Sequence, residues 1–301
     1  MNLSVEKRIE QQAQRLGFIA AGITHAAPPP FLENFHSWIK NRLHGDMAWL
    51  EKGAQARSDP SQVLKGCKAI VSLAYPYSVV KPITPEGFST ARFTEGLSED
   101  YHRRLRRLAA PIMRIIQEAY PGAKNRVCID SAPLLERAYA QMAGIGFIGK
   151  NNMLIVPGHG SFCYLVEILT TAPLAPGLKR PIQEGCGDCE KCLEACPTGA
   201  LKAPFLLDSR KCLSYLTIES KSPIAPYMAQ KMNRSFFGCD VCQEACPYNK
   251  EVSLTRLCLP SVYSILEMGE EDFRRQFGKT TFWRPGLEKL KSNILAAMPS
   301  E

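Results

Sequence analysis

The chain has 301 residues, 45% hydrophobic and 22% charged, and carries a net charge of +8. No apolar run approaches the roughly 18 residues of a membrane helix, and the start MNLSVEKRIEQQAQRLGF is too polar for a signal peptide. A cytoplasmic globular chain is expected, with room for one large or two smaller domains and a charge suited to a polyanionic partner.

In chain order, the N-terminal stretch reads as an amphipathic helix with Val5, Ile9 and Leu16 on one side. PPP at 28–30 and PITPEG at 82–87 mark loops. CKAIVSLAYPY (67–77) and RVCID (126–130) read as buried strands. SEDYHRRLRRLAAPIMRIIQEAY (98–120) reads as a long helix, with Leu105, Leu108, Ile112 and Ile115 as its apolar stripe. Arg103, Arg104, Arg107 and Arg114 fall on its other faces, and Pro111 is expected to kink it. PLLERAYAQMAG reads as a helix with Pro133 in its first turn and Gly144 past its end. NMLIVPGHGSFCYLVEILTTAP gives two strands around a glycine-rich turn, and TTAPLAPGLKRPIQEG (170–185) looks like a linker. The expected division is an α/β unit over 1–175, a cysteine-rich unit over 176–255 and a short helical tail over 256–301.

Twelve cysteines in such a chain argue against a disulfide scaffold. Cys67, Cys128, Cys163 and Cys258 stand alone and read as small buried hydrophobes. The other eight lie between Cys186 and Cys246. Cys186, Cys189, Cys192 and Cys196, followed by Pro197, form a complete iron–sulfur run. The stretch GCDVCQEACPYN has only three, Cys239, Cys242 and Cys246, and Phe236 stands where a first cysteine would be. In such runs three thiolates wrap one cubane and the cysteine before proline ligates the other cluster. Cys186, Cys189 and Cys192 then take Cys246 as fourth ligand. Cys239, Cys242 and Cys196 lack one, and Cys212 is the single cysteine between the runs that can supply it. Zinc is the rival reading, but zinc hooks have no Cys-Pro partner. Two adjacent clusters make an electron wire, and the first unit should hold the acceptor chemistry.

Cofactor signatures in that first unit are sparse. GIGFIGK (144–150) follows a helix and is weak. DYHRRL (100–105) approaches a histidine-ligated cobalamin pattern, but Leu105 stands where glycine is required. Asp130 ends a strand just before a helix, so it reads either as an N-cap or as a buried proton donor.

The sequence resembles the epoxyqueuosine reductase family. The matching stretches are DSAPLLERAYAQMAGIGFIGKNNMLI, GSFCYLVEILT, CGDCEKCLEACPTGAL, CLSYLTIE and GCDVCQEACPYN, in family order over most of residues 45–250. The resemblance implies an α/β (α+β) cobalamin-binding domain followed by a ferredoxin-like double 4Fe–4S domain and a short helical C-terminal tail. It implies base-off cobalamin with no protein ligand on cobalt, and Asp130 as proton donor. Ser214 and Asp240 fall on the cluster-side wall, and Arg57 and the backbone from Asn152 to Leu154 are candidate cobalamin contacts. The implied activity is reduction of epoxyqueuosine to queuosine in the tRNA anticodon, driven by an external low-potential donor of flavodoxin or ferredoxin type. A monomer is expected. Candidate tRNA contacts are Arg103, Arg104, Arg107, Lys221, Trp283 and Arg284, because many family members carry a C-terminal helical-repeat extension that this chain is expected to do without. The stretch RFTEGLSEDYH also departs from the family and should alter the rim of the pocket. Two other readings remain. A reductive dehalogenase would share the corrinoid but is typically exported with a twin-arginine signal. A ferredoxin-type carrier would leave the large first unit without a role.

Overall fold

The computed structural model describes residues 3–177, 182, 185–249 and 257–299. A four-stranded sheet forms the centre of the first half, in the order Ala20–His25, Ala69–Pro76, Cys163–Thr170, Asn125–Cys128. Every pairing in it is antiparallel. The mixed α/β expectation therefore resolves to α+β.

Two helices cover one face. The N-terminal helix Val5–Arg15 starts where the Ser4 hydroxyl accepts the Lys7 N–H, and it buries Ile9 and Ala13. The long helix Tyr101–Ala119 starts where the Asp100 carboxylate accepts the His102 N–H at 2.8 Å. It buries Leu105, Ala109, Ile112 and Ile116 and contains Pro111. Each large aliphatic buried there contributes about 1.5–3 kcal/mol. Val166 and Ile168 of the third strand belong to this core. Leu165 and Leu169 alternate to the other face, against the helix Glu136–Met142. That helix packs so closely that a Cβ on Gly22 would stand 2.2 Å from the Ala143 carbonyl oxygen. A Gly22→Ala change would push the helix off the sheet.

Helix Glu136–Met142 begins three residues later than Pro133, so the turn at 131–134 is not its first turn. The two strands expected in 152–173 exist, but they serve different sheets. Leu154–Ile155 pairs with Phe147–Ile148, while Cys163–Thr170 joins the central sheet, and only a Val156–Gly160 bridge links their flanks. Part of the expected linker, residues 178–181, 183 and 184, lies outside the described residues, as does the expected boundary at 255–256.

A second sheet ties the halves together. Its order is Ser235–Phe237, Ser89–Thr90, Pro82–Ile83, Leu257–Cys258. The segment 82–87, expected as a loop, thus opens with a strand. Phe88 shares a core with Phe236, Phe237, Phe273, Phe277, Phe282 and Leu290. Helices Val262–Glu267, Glu270–Phe277 and Leu287–Ala297 complete it. Phe236 is therefore a core residue, 1% exposed. Cys258, expected to be buried, is exposed, while Cys128 is buried.

Candidate active site and cluster-binding thiols

The eight clustered cysteines are free thiols and gather in two sets. Cys186, Cys189, Cys192 and Cys246 line one cavity together with Lys150, Asn151, Ile155 and Tyr248. In the second set, burial pushes the Cys242 thiol up, and the charges of Cys212, Cys239 and Cys196 push it further. Cys239 is raised to about 12, by burial and then by Cys212. The thiols come from short helical turns, Lys191–Glu194 and Val241–Glu244, and from the start of the helix Leu213–Ile218. Among the described residues no three His, Cys, Asp or Glu side chains converge tightly enough to hold a single metal ion. The thiols ring a space rather than a point, and four thiols round a space suit a cubane cluster.

The first half grips these runs directly. Asn151 Nδ2 donates to the Cys242 carbonyl at 3.2 Å, and the Ser161 hydroxyl donates to Gln243 at 3.0 Å. Gly160 has a positive φ, and a Cβ there would stand 2.0 Å from Asn249 Oδ1. Asp240 is buried, and its Oδ2 accepts both the Arg92 N–H at 2.8 Å and Arg92 Nη1 at 3.1 Å. That carboxylate is engaged in joining the two halves. Ser214 is half-buried in the first turn after Cys212.

Asp130 lies two residues beyond the strand Asn125–Cys128, exposed, with a positive φ of 54°. It does not cap the following helix, whose N-cap is Leu135. The Tyr101 hydroxyl donates to Asp130 Oδ2 at 2.9 Å, and the Asp130 N–H donates to Glu136 Oε1 at 2.7 Å. Tyr101 stacks on Tyr164 with ring centroids 4.4 Å apart. Burial, then the charge of Asp130, pushes the Tyr101 hydroxyl well above its usual range, so it remains a donor. The Asp130 carboxylate is thus held by its side chain and its main chain while its outer surface stays open. Its charge also acts on Glu219 from the second half, which forms an ion pair with Arg284 at 2.7 Å.

Arg57 is buried, and its Nη1 has no hydrogen-bond partner among the described residues. It is an orphan donor near Glu136, which suits a polar edge of a bound group. Asn152 has a positive φ and its carbonyl accepts from Arg137. Leu154 is a buried strand residue, so only its backbone is available.

The basic candidates separate. Arg103 and Arg107 are exposed on the long helix beside Glu99. Arg104 is not with them: it pairs with Glu95 and lies against the Tyr75 and Tyr164 rings. Its guanidinium is engaged within the protein. Lys221 is exposed, with its N–H on Asp46 Oδ2 at 3.1 Å. Trp283 is 42% exposed and stacks one face on Phe273. Arg284 lies 5.9 Å from the ring centroid of Trp49, itself exposed. Trp49, Glu136 and Glu219 escaped the sequence reading. Glu136 carried a signal, six residues after Asp130 at a helix start, but nothing local marks Trp49 or Glu219.

Comparison with known proteins now bears on this arrangement. Residues 57–131 match a family model described as Epoxyqueuosine reductase QueG, DUF1730, and residues 185–249 match a 4Fe-4S double cluster binding domain. An epoxyqueuosine reductase of Leadbetterella byssophila is 35% identical over 220 residues, which are 71% of this chain and 70% of that protein. The chain belongs to the epoxyqueuosine reductase family. Another epoxyqueuosine reductase, from Synechococcus sp. (strain RCC307), is 39% identical over 71% of this chain and 66% of that protein. With the Escherichia coli (strain K12) epoxyqueuosine reductase the match spans 57% of that protein's length. The epoxyqueuosine reductase structure from Streptococcus thermophilus superposes with a TM-score of 0.85 at 28% identity, covering 98% of this chain and 81% of that one. An epoxyqueuosine reductase bound to an epoxyqueuosine-modified tRNA-Tyr stem loop superposes with a TM-score of 0.83 at 28% identity, over 97% of this chain and 80% of that one.

Proposed function

We propose that this chain reduces epoxyqueuosine to queuosine in the anticodon of tRNA. The observation that carries the reading is Asp130, an open carboxyl held by Tyr101 and Glu136 in a family whose members bear this name. The reaction breaks both C–O bonds of an epoxide. It takes in two electrons and two protons and yields an alkene and water. Asp130 delivers a proton to the departing oxygen. Tyr101 orients that carboxyl. Electrons enter from an external low-potential donor of flavodoxin or ferredoxin type through two clusters, one on Cys186, Cys189, Cys192 and Cys246, the other on Cys196, Cys212, Cys239 and Cys242. A base-off cobalamin, when bound, supplies the low-potential two-electron reductant at the carbon side. Arg57, the backbone of Asn152 to Leu154 and Ser214 are the residues assigned to hold it. The tRNA lies over Arg103, Arg107, Lys221, Trp283 and Arg284, with Trp283 stacking on a base for roughly 1–3 kcal/mol. Among the described residues no helix is long and apolar enough to cross a membrane, and we assign a monomer to the cytoplasm.

Anaerobic reconstitution with iron, sulfide and cobalamin, followed by assay on tRNA carrying epoxyqueuosine, tests the reading. Queuosine formation is expected, with tRNA affinity falling as salt rises. Absence of product from a fully loaded protein would reject it. Cys212→Ala should degrade one cluster and leave the other, and unchanged iron content would reject that ligand.

A further inference from the structure

Behind the Asp130 loop lies a polar group that no step above uses. Glu167 sits in the middle strand Cys163–Thr170 and is fully buried. Neither carboxyl oxygen has a hydrogen-bond partner among the described residues. Ser72 stands opposite it in the register, and its hydroxyl is buried and unpartnered too. Strand alternation turns Glu167 toward the helix Glu136–Met142, because Val166 and Ile168 pack on the opposite face. There the Glu136 charge acts on the Glu167 carboxyl. Glu136 in turn accepts the Asp130 N–H and feels the Asp130 charge. Arg57, Arg137 and the Cys128 thiol also face the pair.

A carboxylate buried without a partner is strongly disfavoured, so such a group keeps its proton. Burial, reinforced by Asp130, lifts Glu136 well above the usual carboxylate range against the pull of Arg137 and Arg57. Burial, reinforced by Glu136, lifts Glu167 as well. If Asp130, Glu136 and Glu167 were all ionised, three negative charges would crowd one strand end.

We propose that Glu136 and Glu167 form a proton store that recharges Asp130. The proposal rests on Asp130 being the acid of the reaction above. After Asp130 gives its proton to the departing oxygen it is a carboxylate. The O–H bond of Glu136 then breaks, and its proton forms a new O–H bond on Asp130. Glu167 refills Glu136 in the same way through a bridging water. No electrons move. The reaction needs two protons for each alkene, and with tRNA seated over Asp130 the second comes from inside the protein.

The test has two arms. Infrared spectra of the purified protein without tRNA should show the carbonyl stretch of a protonated carboxylic acid at neutral pH. Glu136→Gln and Glu167→Gln should each remove part of that band. Glutamine keeps the shape and keeps an oxygen for the Asp130 N–H, so the loop stays in place. A wild-type spectrum with no such band overturns the store, whatever happens with tRNA. In the second arm, steady-state turnover of epoxyqueuosine tRNA should fall roughly tenfold in Glu136→Gln with KM unchanged. The pH–rate profile should lose the alkaline limb that the wild type shows as its store empties. Wild-type rates in both variants across the pH range also overturn the proposal. If the wild type is inert on this tRNA but the band is present and lost in the variants, the store stands and the substrate assignment fails.

Discussion

Asp240 and Glu167 are both buried carboxyls, 3% and 0% exposed, kept in different company. Asp240 accepts two hydrogen bonds from Arg92, and Arg92 also donates to the Val79 carbonyl at 2.8 Å and lies over the Phe162 ring. Burial lifts Asp240, and the Arg92 N–H and guanidinium hold it back. Among the described residues, neither Glu167 carboxyl oxygen has a hydrogen-bond partner. Both groups bear the desolvation penalty, but only the first is compensated by a charged partner. Burial alone therefore does not tell what a carboxyl is for. A paired one clamps two pieces of chain, and an unpaired one holds a proton.

The contrast is broken most severely by stripping the partner from Asp240. Arg92→Leu leaves a buried carboxylate with a main-chain N–H but no cation and should destabilise the fold by about 3–5 kcal/mol in urea unfolding. A loss below about 1 kcal/mol would put Asp240 in the same class as Glu167. Next in size is the acid that Glu136 and Glu167 serve. Asp130→Asn should lower turnover about 10²-fold, equivalent to about 2.7 kcal/mol of barrier, with thermal stability unchanged because Asp130 caps no helix. A near wild-type rate would move the acid to Tyr101 or His102.

Replacing the unpaired carboxyl should help the fold. Glu167→Leu removes a desolvated group with no partner and should stabilise by about 1–3 kcal/mol, read as a rise in Tm. The pH dependence has a definite sign. The unfolded glutamate releases its proton near pH 4.3 while the folded one retains it. Above that pH the unfolded state is favoured, so wild-type stability should fall as pH rises until the raised folded pKa is reached. Glu167→Gln should flatten that slope, and an unchanged slope would deny Glu167 its proton. The smallest effect belongs to a third carboxyl, Asp208, held at about 2 by Arg210 and Lys202. Its contribution is complete above about pH 4 and disappears as pH falls toward 2. Because both cations are water-exposed, it is worth about 1 kcal/mol, and Asp208→Asn should remove that acid-side step.

Much of this was legible in the sequence, for local reasons. The long helix announced itself through Leu105 and Ile112, and the N-terminal helix through Ile9, because burial repeats with the helical period. The cysteine sets followed from spacing, and Cys212 from elimination. Other features depend on chain segments that are far apart. Pro82–Ile83 is too short to read as a strand and exists because Leu257–Cys258 pairs with it. Arg104 looked like its exposed neighbours until Glu95 and two tyrosines enclosed it. Glu167 sits in an apolar run, CYLVEILT, where one acidic residue between buried neighbours was the overlooked sign.

The second sheet also sets a timetable. Its ribbon at 82–90 pairs with the strands at 235–237 and 257–258. On a growing chain that ribbon emerges long before its partners. At roughly 5–20 residues per second the delay is about 10–30 s. Phe88 has no core to enter during that interval, while the central sheet, complete at Thr170, can already close. The cysteines from 186 to 246 emerge in the same interval, before Leu257–Cys258 seals the far edge. Protease pulses on chains stalled near residue 200 should cut the ribbon and spare the sheet.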